Sequence, residues 1–215
     1  MTSNSLDHIT KPKIFNALVL ILAFSSGFII MSVELLGGRI LAPYFGSSIY
    51  VWGSIITIFM ASLAIGYLLG GRLSLTNPNL KQYGLFYLGA AVTLLPIVFM
   101  GDQMMDAVFL RIEDPRYGSL VASVFLFTLP SITLGLIAPY SVRLLVTDAK
   151  ESGAIAGGLF FVSTIGSALG TLATSFYFIL WFDINEILIT MICFLVLSCI
   201  AAFLGDYYLV SEETD

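Results

Sequence analysis

Charged side chains are scarce in this chain of 215 residues, where Asp, Glu, Lys and Arg together make up 11% of the sequence. Soluble globular proteins carry about 25% of these residues, so the composition excludes an ordinary soluble domain. Apolar residues reach 58%, and the mean hydropathy is +0.98. Intrinsic disorder is excluded too, because disordered segments combine low hydrophobicity with high charge. The composition therefore predicts a protein that crosses a membrane several times.

Histidine and cysteine are also rare, which limits the chemistry available to the chain. The single histidine, His8, lies in the polar N-terminal segment, so the apolar part lacks the commonest metal ligand and neutral-pH base. The two cysteines, Cys193 and Cys199, lie in one apolar run and predict buried, inert thiols. We therefore expect no metal site and no cofactor. The net charge of −5 argues against nucleic acid as a partner, because no basic stripe can neutralise phosphates.

Six long uncharged stretches follow one another along the sequence. They are 14–33, 40–71, 82–101, 117–142, 152–182 and 187–205. About 20 apolar residues cross a bilayer as a helix, and helices are required because lipid offers no partner for free backbone groups. We predict an all-α integral membrane protein with six transmembrane helices. The expected organisation is a tail over 1–13, a membrane domain over 14–206 and a tail over 207–215.

The basic residues predict how these helices are oriented. With six helices, both termini lie on the same side of the membrane. That side carries six basic residues and the other side three: Lys11, Lys13, Arg72, Lys81, Arg143 and Lys150 against Arg39, Arg111 and Arg116. The positive-inside rule then predicts cytoplasmic termini and a multi-pass protein of the plasma (inner) membrane. The outer side is expected to carry a turn over 42–48 and its largest loop over 102–116.

Small residues recur at four-residue spacing in two of the predicted helices. The second helix contains Gly66 and Gly70, and the fifth contains Gly166 and Gly170. This spacing lets helix backbones approach closely in lipid. Two interpretations stay open, namely packing within the bundle and a moving or dimerising interface.

The tripeptide Ala-Pro-Tyr occurs twice, around Pro43 and around Pro139, with an offset of 96 residues. The first copy closes the first predicted helix and the second copy closes the fourth, and these helices run in opposite directions. A repeat with this offset therefore predicts two inverted three-helix units, an arrangement common in secondary transporters. The alternative is a chance recurrence.

Glu34 is the main candidate for chemistry within the membrane, because it follows 20 uncharged residues. A charge at a bilayer centre costs about 2.5–3.5 kcal/mol on insertion scales. The structural interpretation is an ion pair with Arg39, which requires Gly37-Gly38 to break the helix, or a backbone cap. The functional interpretation is a cation or proton site. Aromatic side chains suited to a cation are Tyr44, Trp52, Tyr67, Tyr140 and Tyr177, and each also fits core or interface packing.

Several stretches together are similar to one known family. They are Glu34-Leu-Leu-Gly-Gly-Arg39-Ile-Leu-Ala-Pro43-Tyr-Phe-Gly46, Val51-Trp52-Gly53, Gly66-Tyr67-Leu-Leu-Gly70-Gly-Arg72, Pro130, Gly135, Ala138-Pro139-Tyr140-Ser-Val-Arg143 and Gly166-Ser-Ala-Leu-Gly170. Over roughly residues 25 to 180, the chain resembles the membrane domain of the fused major-facilitator/spermidine-synthase-like proteins. The resemblance implies a half-size, major-facilitator-like bundle. The synthase-type glycines and catalytic acids of the fused members have no counterpart here, so we expect no enzymatic activity.

Two functions follow as expectations. The first is a membrane transporter for polyamines or a related small cation, completed by a homodimer. The alternative is a non-transporting membrane partner that anchors a separately encoded spermidine-synthase-like aminopropyltransferase on its cytoplasmic face. The candidate substrate-binding residues are Glu34, Arg39, Tyr44, Trp52, Tyr67 and Tyr140. The candidate structural residues are Pro43, Gly66, Gly70, Arg72, Pro139, Arg143, Gly166 and Gly170.

Overall fold

The computed structural model describes residues 13–211, and six helices in this range are long and apolar enough to cross a membrane. We call them spans 1 to 6: Lys13–Phe45, Ile49–Leu73, Leu80–Phe109, Pro115–Leu145, Ser152–Trp181 and Ile184–Tyr208. The helix of span 6 continues to Ser211, and residues 13–211 contain no strand. The prediction of an all-α protein with six spans is confirmed. Of the predicted tails, residues 1–12 and 212–215 lie outside the described residues.

Short connections make successive spans alternate in direction, which gives the bundle two ends. The near end is where span 1 begins, where residues 74–79 and 146–151 connect spans, and where span 6 ends. The far end carries the connections 46–48, 110–114 and 182–183. Span 1 has 33 residues and is therefore about 50 Å long, which exceeds the hydrocarbon thickness of roughly 30 Å.

The far-end connections are shorter than the sequence predicts. Span 3 continues to Phe109, so Asp102 and Asp106 lie on its last turns instead of in a loop over 102–116. A helix satisfies its own backbone groups while exposed acidic side chains reach water, so charges at a helix end do not mark its boundary. The turn expected over 42–48 is likewise reduced, because span 1 continues to Phe45 and is followed directly by Gly46, which has a φ of +75°.

Spans 4 and 5 are each interrupted once. Span 4 consists of the helices Pro115–Gly135 and Ile137–Leu145, which meet at Leu136. Because Pro139 has no backbone N–H, it cannot donate to the carbonyl of Gly135, and the break lies there. Span 5 contains a π-helical turn over Thr174–Phe178.

Spans 1 and 5 run parallel in backbone contact at two glycines. Gly166 faces the carbonyl of Phe24, and Gly170 faces the carbonyl of Phe28. A methyl group at either glycine would be too close to the facing backbone. The pair is therefore held by small residues, which replace the hydrophobic effect as the means of association in lipid.

Spans 2 and 4 form a second parallel pair of the same kind. Gly66 faces the carbonyl of Ile132, and Gly70 faces the carbonyl of Leu136. In each pair the partner helix also contributes a glycine, because Gly27 of span 1 faces Ser163 and Gly135 of span 4 faces Leu63.

Spans 3 and 6 form an antiparallel pair on the other side of spans 1 and 4. Gly84 packs against the ring of Phe203, with 3.0 Å from a built Cβ to the ring. At the near end, Lys81 forms an ion pair of 3.2 Å with Asp206.

Candidate functional site

Two cavities lie at the far end, and the exposed side chain of Arg39 lines both of them. The first, the acidic cavity, lies between spans 1, 3 and 6 and has a volume of about 470 Å³. Its polar lining includes Tyr44, Asp102, Asp183 and Glu186. Three carboxylates against one guanidinium make this cavity attractive to a cation.

Local structure positions the carboxylates of the acidic cavity. Asp183 precedes span 6, and Glu186 accepts a hydrogen bond from the Asp183 backbone N–H at 3.1 Å. This hydrogen bond is one half of a capping box, and it holds the Glu186 side chain beside Asp183 at the start of the helix. Tyr44 packs against Phe109 with ring centroids 6.0 Å apart, and its hydroxyl lies within reach of the Asp106 carboxylate.

The second cavity, here the Trp52 cavity, lies between spans 1, 2 and 5 and has a volume of about 460 Å³. The Trp52 ring covers Gly38, where a Cβ would be 2.6 Å from the ring. Ser175 and Ile179 line the opposite side. Ser175 belongs to the π-helical turn, a feature that is frequent at functional sites.

Glu34 lies one helical turn closer to the near end than Gly38 and is partly buried. Span 1 continues unbroken through Gly37 and Gly38, so Glu34 and Arg39 point about 140° apart and form no ion pair. Within residues 13–211, Glu34 has no hydrogen bond or ion pair to another side chain. It lies 11 residues, or about 16 Å, before the end of span 1. Its side chain therefore lies at membrane depth. Glu34 forms neither the ion pair with Arg39 nor the backbone cap considered for it above.

A fixed register relates span 1 to span 4, which run antiparallel. The ring of Phe127 lies 3.0 Å from a Cβ built on Gly37, and Gly118 faces the ring of Phe45. In an antiparallel pair of helices, two residues at the same depth have numbers with a constant sum. That sum is 164 for Gly37 and Phe127 and 163 for Phe45 and Gly118. Ser131 is therefore level with Glu34, to within about one residue.

The predicted substrate-binding residues do not form one site. Arg39, Tyr44 and Trp52 line the far-end cavities, and Glu34 lies just below the Trp52 cavity. Tyr67 lies six residues before the near end of span 2, and its side chain is 45% exposed. Tyr140 lies in the second helix of span 4, which ends at the near end of the bundle.

Tyr140 is fully buried and has a structural environment. Its hydroxyl accepts a hydrogen bond from the backbone N–H of Asn79 at 3.0 Å and lies 3.0 Å from Oε1 of Gln82. Its ring stacks on Tyr83, with centroids 5.9 Å apart. These contacts fasten the connection between spans 2 and 3 to span 4.

Two further tyrosines, which the sequence analysis did not single out, extend this near-end cluster. Tyr83 and Ser141 share a hydrogen bond of 2.6 Å, and the Tyr87 hydroxyl donates to the carbonyl of Leu22 at 2.8 Å. Both tyrosines are fully buried and lie four residues apart on one face of span 3. That spacing was the available signal for a buried polar face.

The sequence analysis also missed Asp183 and Glu186, because it treated charges only as boundaries between spans. The pattern Asp-x-x-Glu before an apolar run predicts a capping box and was the available signal. Arg72 and Arg143 are exposed at the near end, as expected for basic residues that reach the interface.

Comparison with models of protein families, with curated proteins and with solved structures finds no match. The similarity to the fused family named above therefore stays a prediction from the quoted motifs.

Proposed function

We propose that this protein is a membrane transporter for a small organic cation of the polyamine type. The observation that supports this function best is Glu34, a carboxylate at membrane depth without a partner in the described part of the chain. Ionisable residues inside membrane spans almost always pair with one another or mark a substrate or ion pathway. An ammonium group of the substrate is the partner we assign to Glu34.

The charge at the far end supports the same proposal. Within residues 13–211 this end carries six carboxylates and three guanidinium groups: Asp102, Asp106, Glu113, Asp114, Asp183 and Glu186, with Arg39, Arg111 and Arg116. An excess of negative charge around a cleft concentrates cations there. Among the described residues, no three His, Cys, Asp or Glu side chains are placed to hold a metal ion. An extended organic cation therefore fits the acidic cavity better than a bare metal ion.

The proposal includes an architecture of two inverted three-helix repeats that form a half-size, major-facilitator-like bundle. Under such a repeat, span 1 corresponds to span 4 and span 2 corresponds to span 5. The glycine contacts support the repeat, because they occur both between spans 1 and 5 and between the corresponding spans 4 and 2. Residues 63, 66 and 70 correspond to 163, 166 and 170, and residues 24, 27 and 28 correspond to 132, 135 and 136. The offsets are 100 and 108, so the Ala-Pro-Tyr offset of 96 aligns different positions.

The proposal also includes a homodimer in the plasma (inner) membrane with cytoplasmic termini. Of the six spans, span 5 is the least buried, and Gly153 and Gly157 meet nothing within 4 Å. A second copy can cover these small residues in a closed two-fold assembly. The near end carries basic residues in excess, which favours the cytoplasmic side. No catalytic step and no cofactor belong to this function.

The test is uptake of labelled putrescine and spermidine into proteoliposomes, with and without a proton gradient. Glu34→Gln removes the charge and keeps the shape, and we expect uptake to fall at least tenfold while folding is retained. Glu113→Gln is the matched control, because it removes an exposed far-end carboxylate outside both cavities, and we expect little change. Equal uptake by the Glu34→Gln and wild-type proteins would contradict a role for Glu34.

The anchor function predicts a different result. In that case the wild-type protein takes up neither amine, and a soluble aminopropyltransferase-like enzyme co-purifies with it in stoichiometric amount from native membranes.

A further inference from the structure

A fully buried hydroxyl without a partner lies at the depth of Glu34. The side chain of Ser131, in span 4, is 0% exposed, and its Oγ has no hydrogen bond. A buried hydroxyl without a partner costs about 1–3 kcal/mol, so such groups mark a missing ligand, water or proton-bearing partner. The register set by Gly37 and Phe127 puts Ser131 level with Glu34.

Helical spacing also turns both side chains toward the same gap. Ser131 lies four residues after Phe127, which contacts span 1, and four residues before Gly135, which contacts span 2. It therefore lies on the face of span 4 between spans 1 and 2. Phe127 contacts Gly37, and Glu34 lies three residues before Gly37. Glu34 therefore lies on the surface of span 1 next to its contact with span 4. A carboxylate and a hydroxyl, each without a partner in the described structure, are therefore placed at one depth in the region where spans 1, 2 and 4 meet.

We infer that Glu34 carries a proton in one step of the transport cycle and that Ser131 is the positioning residue that accepts the hydrogen bond of the protonated carboxyl. A proton needs one donor and one acceptor, which these two groups supply, whereas a metal cation needs more oxygen ligands. The inference rests on the proposed function for its cation step only. When a substrate ammonium binds Glu34, the carboxyl releases its proton to water, and one positive charge replaces another.

The helices around span 1 offer no competing acid at the depth of Glu34, because spans 3 and 6 carry their acids toward the two ends of the bundle: Asp102, Asp106, Asp183, Glu186 and Asp206. Spans 2, 4 and 5, together with the rest of span 1, contain no other Asp or Glu. Arg39 is the nearest cation along span 1, about 7.5 Å further on and about 140° around the helix. The other charged side chains of these helices lie near their ends: Lys13, Arg72, Arg116 and Arg143.

Ser123 provides a matched control for Ser131. It is also fully buried without a hydrogen bond and lies on the same face of span 4, four residues on the other side of Phe127. The register puts Ser123 level with Leu41, so it is about 12 Å along the helix from Ser131. Replacing either serine by alanine makes the same chemical change at a different distance from Glu34.

Infrared difference spectra of the purified protein in lipid, recorded between alkaline and acidic pH, test the inference without any transport. We expect a carbonyl band of a protonated carboxylic acid that is lost in Glu34→Gln. Ser131→Ala should shift this band and Ser131→Thr should restore it, while Ser123→Ala should leave it unchanged. A band that persists in Glu34→Gln, or that responds equally to Ser131→Ala and Ser123→Ala, would overturn the inference.

Uptake measurements then separate the inference from the proposed function. In Ser131→Ala we expect the pH profile of putrescine uptake to move while the Ser123→Ala profile stays in place. If the wild-type protein shows the Ser131-sensitive band but no uptake, the transport function fails and the proton site stands. If uptake requires Glu34 and neither serine variant alters the band or the pH profile, the transport function stands and the role of Ser131 fails.

Discussion

Replacement of Gly166 by alanine tests the backbone contact between spans 1 and 5. A methyl group built on Gly166 is too close to the carbonyl oxygen of Phe24 and lies 3.0 Å and 3.2 Å from its C and Cα atoms. These are backbone atoms, so they cannot rotate away as a side chain can. Span 5 must move away from span 1 by roughly 1 Å, and overpacking of this kind costs about 1–3 kcal/mol.

Gly158→Ala is the matched control for this prediction. Gly158 lies in the same helix, and a methyl group there meets nothing within 4 Å. Alanine favours the helical state over glycine by about 1 kcal/mol, and this gain applies to both variants. The difference in unfolding free energy between the two variants therefore isolates the packing term, which we expect to be about 1–3 kcal/mol.

The free energy of unfolding is measured by titrating the protein in mixed micelles with a denaturing detergent and following the loss of tertiary structure. Gly158→Ala is expected to be as stable as the wild-type protein or slightly more stable. If Gly166→Ala matches Gly158→Ala within experimental error, the close approach of spans 1 and 5 is refuted.

Two further predictions concern the near end. Tyr140→Phe should lower the free energy of unfolding by about 1–3 kcal/mol in the same detergent titration, because it leaves the backbone N–H of Asn79 without its acceptor. The hydroxyl of Tyr67 has no hydrogen bond in the described structure, so Tyr67→Phe should leave the free energy of unfolding unchanged. Equal losses in the two variants would contradict the structural role of the Tyr140 hydroxyl. Lys81→Met should lower the free energy of unfolding by about 1–3 kcal/mol, because it leaves the carboxylate of Asp206, whose side chain is only 11% exposed, without its partner; no measurable loss would refute this.

The spans were predictable because lipid imposes one requirement on every segment that crosses it. Uncharged stretches of sufficient length must be helical, and charges such as Arg72 and Lys81 border them. The same reasoning fails at the far end of span 3, because Asp102 and Asp106 continue the helix into the interface. Charge alone therefore locates a span but not its last turns.

The candidate site was predictable only in part, for a related reason. A lone Glu34 among apolar residues is visible in the sequence, and Arg39 and Trp52 belong to the stretches that carry the family resemblance. Ser131 is not visible, because serine is common in membrane helices and its importance depends on the register between spans 1 and 4. That register follows from two packing contacts that no local pattern encodes.

The two Ala-Pro-Tyr copies show how similar local sequence can serve different contacts. Tyr44 packs on Phe109 at the far end of span 3, and Tyr140 packs on Phe86 at its near end, with centroids 6.0 Å and 5.0 Å apart. Each tyrosine thus holds one end of the same helix. Their polar partners differ, since the hydroxyl of Tyr140 meets a backbone amide whereas that of Tyr44 lies near the carboxylate of Asp106. The near-end contact therefore involves no ionisable acid, whereas the far-end contact brings the tyrosine hydroxyl to a carboxylate.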